Sequence, residues 1–291
     1  MGPIMPTVLR RASLRQPRAR QLGAADSVAV DACLELSPLE TVYLRSEIRH
    51  GALRQGAVVG VEHPDDHRLH AVALRGPLVV PWAPVERDLV ALAAALRGQI
   101  QLVQLIVGPR DQVAGLQRLL APQLGPVRLL RAEQPHYAVD LDGLLPLPGE
   151  PPPLRQATVA DLEQTVAAGA AMHLEEVGFD PLRADPVGFR QRVLTLTRRG
   201  WVHIWMEDGQ IVFKAECSAV TAEAIQLQGV WTNPKFRGQG RGTRAMACLS
   251  QQLLGETAAV TLFVNDFNAV AIHVYERIGF RRIGTMSSVL F

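Results

Sequence analysis

The chain has 291 residues, 48% of them apolar, and a formal net charge of +2, which is enough apolar material for two globular units. No stretch reaches the roughly 18 uninterrupted apolar residues of a membrane-spanning helix, since the run at 89–96 stops at Arg97, so membrane placement is disfavoured. Cys33, Cys217 and Cys248 are odd in number and far apart, which argues against a disulfide framework or a zinc site and fits a reducing cytoplasm.

In chain order, residues 1–25 contain Arg10, Arg11, Arg15, Arg18 and Arg20 with no acidic residue, and lack the apolar core and cleavage site of a secretory signal. They read as a disordered basic tail. Nucleic-acid binding through such an arm is disfavoured by the near-neutral charge of the whole chain. Residues 26–145 form an N-terminal α/β domain. Runs rich in strand formers at 57–62, 69–75 and 77–82, broken by the turn-forming HPDDHR, predict an antiparallel meander. Val85, Leu89, Leu92 and Leu96 then recur at helical spacing, residues 102–107 read as a buried strand, and Val113, Leu116, Leu119 and Leu120 mark a second helix. The order is β-β-β-α-β-α-β.

A proline-rich linker follows at 146–153, in the stretch LPLPGEPPP, where five prolines and one glycine exclude helix and central strand. The second domain, 154–291, opens with Thr158 as a helix N-cap and Asp161 three residues on, and its first helix runs through VAAGAAMHLEEV. After a loop and a second helix, strands are expected at 202–206, 211–220 and 224–232, the first two joined by an Asp208-Gly209 hairpin turn. A helix from about Gly240 to Leu254, a strand at 260–264, a helix at 268–277 and a closing strand at 281–291 complete the chain. The similar order of elements makes the halves candidates for distant structural repeats.

The informative segment is GVWTNPKFRGQGRGTR, 229–244, a strand running through a short loop into a helix start. Gly238, Gly240 and Gly242 allow positive φ and close backbone approach, and the unpaired N–H groups of a helix start attract anions. A pyrophosphate suits that place, with Arg237, Arg241 and Arg244 adding charge. The loop has neither the Gly-Lys-Ser/Thr ending of a P-loop nor the acidic ribose partner of a dinucleotide site. A glycine cluster alone also fits an ordinary flexible turn.

The segment Arg237-Gly-Gln-Gly-Arg-Gly242 resembles a signature of the GNAT superfamily of acetyl-CoA-dependent N-acetyltransferases: Gln or Arg, two residues, Gly, one residue, Gly or Ala. Further on, VNDFNAVAIHVYERIGF resembles the family's second signature, with Asn268, Ala271, Tyr275, Gly279 and Phe280 in the expected places. The resemblance covers about 154–291 and implies an α/β (α+β) GNAT fold, a mixed and mainly antiparallel sheet flanked by helices. The N-terminal half, in front of such a domain, resembles the domain of unknown function found in actinobacterial-type tandem proteins, a degenerate GNAT-like repeat. It has no glycine loop, and its acidic PWAPVERD stretch stands where phosphates would need donors.

What the resemblance implies is transfer of acetyl from acetyl-CoA, without a metal, to a primary amine on a protein or small molecule, by direct attack in a ternary complex. Backbone groups of Val230, Trp231 and Thr232 would hold the acetyl and pantetheine portion, and Arg237, Gly238, Gln239, Gly240, Arg241 and Gly242 the pyrophosphate. Asn268 would contact the carrier, and Tyr275 would protonate the departing thiolate. Asn268 can also be a simple N-cap, the Trp231 side chain a packing group, and His203 and His273 core or surface histidines. Some members place a Glu where this chain has Gln226, which cannot take a proton; Glu216, Glu223, Glu175 and Glu176 are the candidates to act as base through water. The alternative is a non-catalytic acyl-CoA-binding module. Nothing in the sequence fixes the oligomeric state, and a homo-oligomer is compatible with it.

Overall fold

The computed structural model describes residues 16–147 and 149–291. Part of the expected basic tail, residues 1–15, lies outside the described residues. Its remainder is not disordered: Arg18–Gln21 form strand β1, antiparallel to β2 (Val58–Glu62). The cause is local. Leu22 is buried in the core behind the strand, and Arg20 pairs with Asp26 at 2.7 Å and with Glu62 at 3.3 Å, so its charge is answered within the fold.

Two short helices, α1 (Ser27–Leu34) and α2 (Val42–Arg49), precede β2. Their eight residues each carry too few periods to stand out in the sequence, and valine-rich α1 reads equally as strand. Beyond β2 come β3 (Leu69–Leu74), β4 (Leu78–Trp82), α3 (Glu86–Leu96), β5 (Leu105–Pro109), α4 (Arg110–Leu120) and β6 (Leu129–Asp140). The expected strand at 102–107 is shifted, because residues 97–102 form a 3₁₀ turn closing α3.

The second half runs β7 (Leu154–Gln156), α5 (Leu162–Val177), α6 (Pro181–Ala184), α7 (Pro186–Arg198), β8 (Val202–Glu207), β9 (Gln210–Val220), β10 (Ile225–Thr232), α8 (Arg241–Leu254), β11 (Ala259–Phe263), α9 (Ala269–Arg277) and β12 (Arg281–Leu290). Thr158 and Asp161 make the anticipated capping box. Asp208 and Gly209 both take positive φ, 46° and 72°, as a two-residue hairpin turn requires. This is the mixed α/β architecture implied by the sequence.

Among the described residues the strands join one sheet in the order β1-β2-β3-β4-β5-β12-β6-β11-β10-β9-β8-β7. The order is a pseudo-symmetric pair of six-strand sets with the closing strands traded. β6, at the end of the first half, pairs with β11 of the second, from Ala259↔Asp140 to Phe263↔His136. β12, at the end of the second half, pairs with β5 of the first, from Met286↔Pro109 to Leu290↔Leu105. The two exchanged strands then pair with each other at the centre.

The cores follow the exchange. Val289 of β12 is buried with Leu92, Val113 and Leu116 of the first half, while Tyr137 and Val139 of β6 are buried with Leu249, Leu262 and Ile278 of the second. Burial of one such side chain is worth about 1.5–3 kcal/mol, so each half depends on the other for its closing layer. The halves are also stapled by α2, where half-exposed Glu223 receives buried Arg45 at 2.9 Å and the Ser46 hydroxyl oxygen accepts the Val220 N–H at 3.2 Å. The proline-rich stretch lies on α8: Leu147 packs on the core and Arg244 donates to the Glu150 carbonyl at 2.6 Å.

A cut in that stretch separates partners rather than domains. Residues 1–145 and 146–291 produced separately are expected to melt without a cooperative transition, and to regain one when mixed, as followed by circular dichroism. Cooperative melting of either piece alone would contradict the exchange.

Candidate acyl-CoA site

The site begins with a defect in β10. On β9, Glu216 and Lys214 face Gln228 and Trp231, so β10 carries one residue more than its partner there. Gly229 supplies the bulge with φ 58°, and a Cβ on it would sit 3.3 Å from both the Lys214 ammonium and the Glu216 carboxyl carbon. On the other side β10 pairs with β11 only at Ile225↔Val260 and Gln226↔Thr261. Past that point the strands diverge, because β11 continues along β6.

The crevice so opened is part of a cavity of about 870 Å³. Of the residues the sequence nominated, Val230, Trp231, Thr232, Arg237, Gly238, Gly240, Arg241, Gly242, Asn268 and Tyr275 all line it. Gln239 is not among the lining residues; it is exposed at the tip of the loop. Gly240 is the N-cap of α8 in the left-handed region, φ 71°, and Gly238 is alike at 73°. A Cβ on either would meet nothing within 4 Å, so the backbone faces open space beside a helix start with no acidic residue in its first turn. That is a cradle for a phosphate group. The arginines already hold the protein together: Arg237 donates to the Thr232 carbonyl at 2.8 Å and pairs with Glu175 at 2.6 Å, and Arg241 pairs with Glu207 and lies over the Phe236 ring at 4.8 Å. Arg244 points away to the proline-rich stretch.

Asn268 caps α9, accepting the Ala271 N–H at 3.1 Å, and lines the cavity as well. Tyr275 is buried between Tyr137 and Phe280, with ring centroids 6.5 and 5.9 Å away. Its hydroxyl is raised well above the ordinary phenol value, by burial first and by the Glu176 carboxylate second. It therefore keeps its proton through the neutral range.

The carboxylates sort themselves by partner. Glu216 takes Lys214 at 2.6 Å, Arg192 at 3.2 Å and the Gln228 amide at 3.2 Å. Burial would raise its carboxyl, yet Lys214 and Arg192 outweigh that and bring it down to about 2, which leaves a weak base. Glu223 is engaged by Arg45 outside the cavity, and Gln226 by the Ser218 hydroxyl at 2.8 Å. Glu176 lines the cavity without a side-chain partner among the described residues, and partial burial raises its carboxyl against the pull of Arg131 and Lys214. One turn back on the same face, His173 was not singled out by the sequence reading. Its Nδ1 meets the Gly169 carbonyl at 3.0 Å, and burial lowers its affinity for a proton, so it lines the cavity as a neutral ring. The spacing of three between His173 and Glu176 is the signal that could have found it. His203 is a core histidine, lowered to about 4 by burial, and His273 is exposed.

The equivalent place in the first half is filled. Pro81 packs on Gly108 where β4 and β5 part, and α3 starts with its own acids, Glu86 and the buried Asp88, the latter 2.7 Å from His63 Nε2. His63, His70 and Asp88 have ligand atoms within 4.8 Å of one another, the spacing of a metal group, but their contacts are made inside the protein: Arg87 at 3.2 Å on His63 and Asp66 at 2.8 Å on His70.

Residues 166–280 match the model of the acetyltransferase (GNAT) family. The C-terminal half therefore carries a GNAT domain. Residues 56–165 match DUF4081, a domain of unknown function. No curated protein matches the chain. Among solved structures, a GNAT-family acetyltransferase from Colwellia psychrerythraea is 13% identical with a TM-score of 0.58, covering 94% of this chain and 99% of that one. A GCN5-related N-acetyltransferase from Sphaerobacter thermophilus is 18% identical with a TM-score of 0.56, covering 94% and 95%. A tandem GNAT protein from the clavulanic acid biosynthesis pathway is 13% identical with a TM-score of 0.52, covering 94% and 98%. Each spans both halves, so the fold shared is the tandem one. Among the described residues, no helix is long and apolar enough to cross a membrane.

Gly240→Asp tests the cradle. Asp tolerates the left-handed region better than most residues, so the fold should survive, while its charge stands where a phosphate would lie. CoA affinity measured by calorimetry is expected to fall by about tenfold or more with a nearly unchanged melting temperature. Unaltered affinity would place the phosphates elsewhere.

Proposed function

We propose that the protein transfers an acetyl group from acetyl-CoA to a primary amine by direct attack in a ternary complex. The observation that carries the reading is the open crevice between β10 and β11, which has the glycine cradle at one end and Tyr275 and Glu176 within the same cavity. Bound there, acetyl-CoA supplies a thioester whose carbonyl carbon an amine can attack.

The chain's own groups do the rest. Gly238, Gly240 and the first turn of α8 receive the pyrophosphate, with Arg237 and Arg241 flanking it. The β10 bulge aims the backbone of Val230 and its neighbours into the crevice, where an N–H can support negative charge on the thioester oxygen. Glu176 takes the proton of the attacking amine, directly or through water. The Tyr275 hydroxyl gives its proton to the sulfur as the C–S bond breaks. The raised Glu176 carboxyl is a better base than an ordinary carboxylate, and the raised Tyr275 hydroxyl remains an acid at alkaline pH, so both shifts serve the assigned directions. The rival reading, an acyl-CoA-binding module without turnover, drew its support from Gln226; Glu176 supplies the base that Gln226 cannot.

Two substitutions test the assignment. Tyr275→Phe removes one oxygen from a well-packed ring, so melting temperature and CoA affinity should hold while amine-dependent thiol release drops by about 10²-fold or more. Glu176→Gln should lower the rate comparably and flatten the acid limb of the pH profile, since wild-type activity is lost as pH falls through the raised Glu176 value. A Phe variant within about threefold of wild type from about pH 6 to about pH 9 would make Tyr275 a packing residue.

A further inference from the structure

We infer that the amine acceptor also carries a carboxylate, as an amino acid does, and that its anchor is Arg131, supplied by the N-terminal repeat. The inference rests on the acetyltransfer reading and names its acceptor class. Arg131 lies on β6, the strand that the first half lends to the second, and it lines the cavity together with Gln134.

Arg131 stands out by what it lacks. The other cations around the cavity are matched: Arg192 and Lys214 to Glu216, Arg237 to Glu175, Arg241 to Glu207. Arg131 has no carboxylate within ion-pair distance among the described residues; its Nη2 donates at 3.3 Å to the backbone carbonyl of Glu176. A half-buried guanidinium with one long bond to a neutral oxygen retains donors for a planar anion, and a carboxylate is the group its fork fits. Away from the glycine loop, Arg192 is already engaged by Glu216, which leaves Arg131 as the lining guanidinium without a carboxylate partner among the described residues.

The position of Arg131 also sets a spacing. It is bonded to the backbone carbonyl of the residue whose side chain is assigned as the base, so the groups that would meet carboxylate and amine stand at the same end of the cavity. An acceptor with the two groups on neighbouring atoms matches this. β6 is held rigidly enough for the purpose: the Ser287 hydroxyl donates to the Arg131 carbonyl at 3.0 Å, the Gln134 amide donates to Asn265 at 3.1 Å, and Ser288 donates back to Gln134 at 2.5 Å.

The test uses the full chain, saturating acetyl-CoA and a panel of free amino acids, each matched with its own amide. Thiol release is read for every pair, and CoA affinity is read separately by calorimetry. The acids are expected to exceed their amides by about tenfold or more in kcat/KM, and Arg131→Gln to erase the difference by raising KM for the acids. Arg131→Lys, which keeps the charge but not the fork, should retain part of it. Amides used as well as acids, or a preference that survives Arg131→Gln, would overturn the anchor and leave acetyltransfer standing. Normal CoA binding without thiol release from any amine would overturn both.

Discussion

The antiparallel pairing of β6 with β12 is the contact on which the rest of the molecule depends. Each strand closes the sheet of the half it does not belong to in sequence, so neither core is complete without the other. The same exchange shapes the site. Because β11 is zipped along β6, it follows that partner, and β10 is left to diverge after two paired residues. A crevice between parallel neighbours is costly unless something satisfies the backbone groups it exposes, and a ligand that runs between the strands meets that need.

The two halves share a plan and differ in how they treat one helix start. In the C-terminal half, two glycines in the left-handed region leave bare N–H groups beside open space. In the N-terminal half the corresponding helix begins with Glu86 and Asp88, and Asp88 is buried against His63. Its own carboxylates occupy the electrostatic position a phosphate would take. A tandem fold can therefore keep one helix start open to an anion and use the other repeat as scaffold, here as the donor of the strand that carries Arg131.

Charge pairing separates the acidic residues near the cavity. Four carboxylates compete on sequence grounds, and three are engaged in the fold: Glu223 by Arg45, Glu175 by Arg237, and Glu216 by three donors at once. The buried Lys214–Glu216 pair has a geometric task instead. It packs against Gly229, where a Cβ would be crowded and the positive φ disfavours a side chain, and stands behind the bulge that turns β10 toward the cavity.

The sequence by itself determined the elements and the cradle. Hairpin turn, capping box, glycine loop and the Asn268 and Tyr275 helix all depend on residues within a few positions of each other, so their φ preferences and spacings could be read locally. α1 and α2 escaped for the same reason in reverse: eight residues hold too little periodicity, and the helices are anchored by their own side chains, such as Leu34 and Arg45, buried in the fold. Arg18–Gln21 became a strand because β2 offers an edge far along the chain. Only the tertiary structure decided which closing strand serves which half, since β6 and β12 have two chemically similar edges to choose between and the choice is settled by the packing of whole cores. Only it could show that Glu176 has no side-chain partner among the described residues, that His173 shares its face, and that a residue of the first half stands beside them. Pairing and burial are properties of neighbours in space, and these neighbours are far apart in the chain.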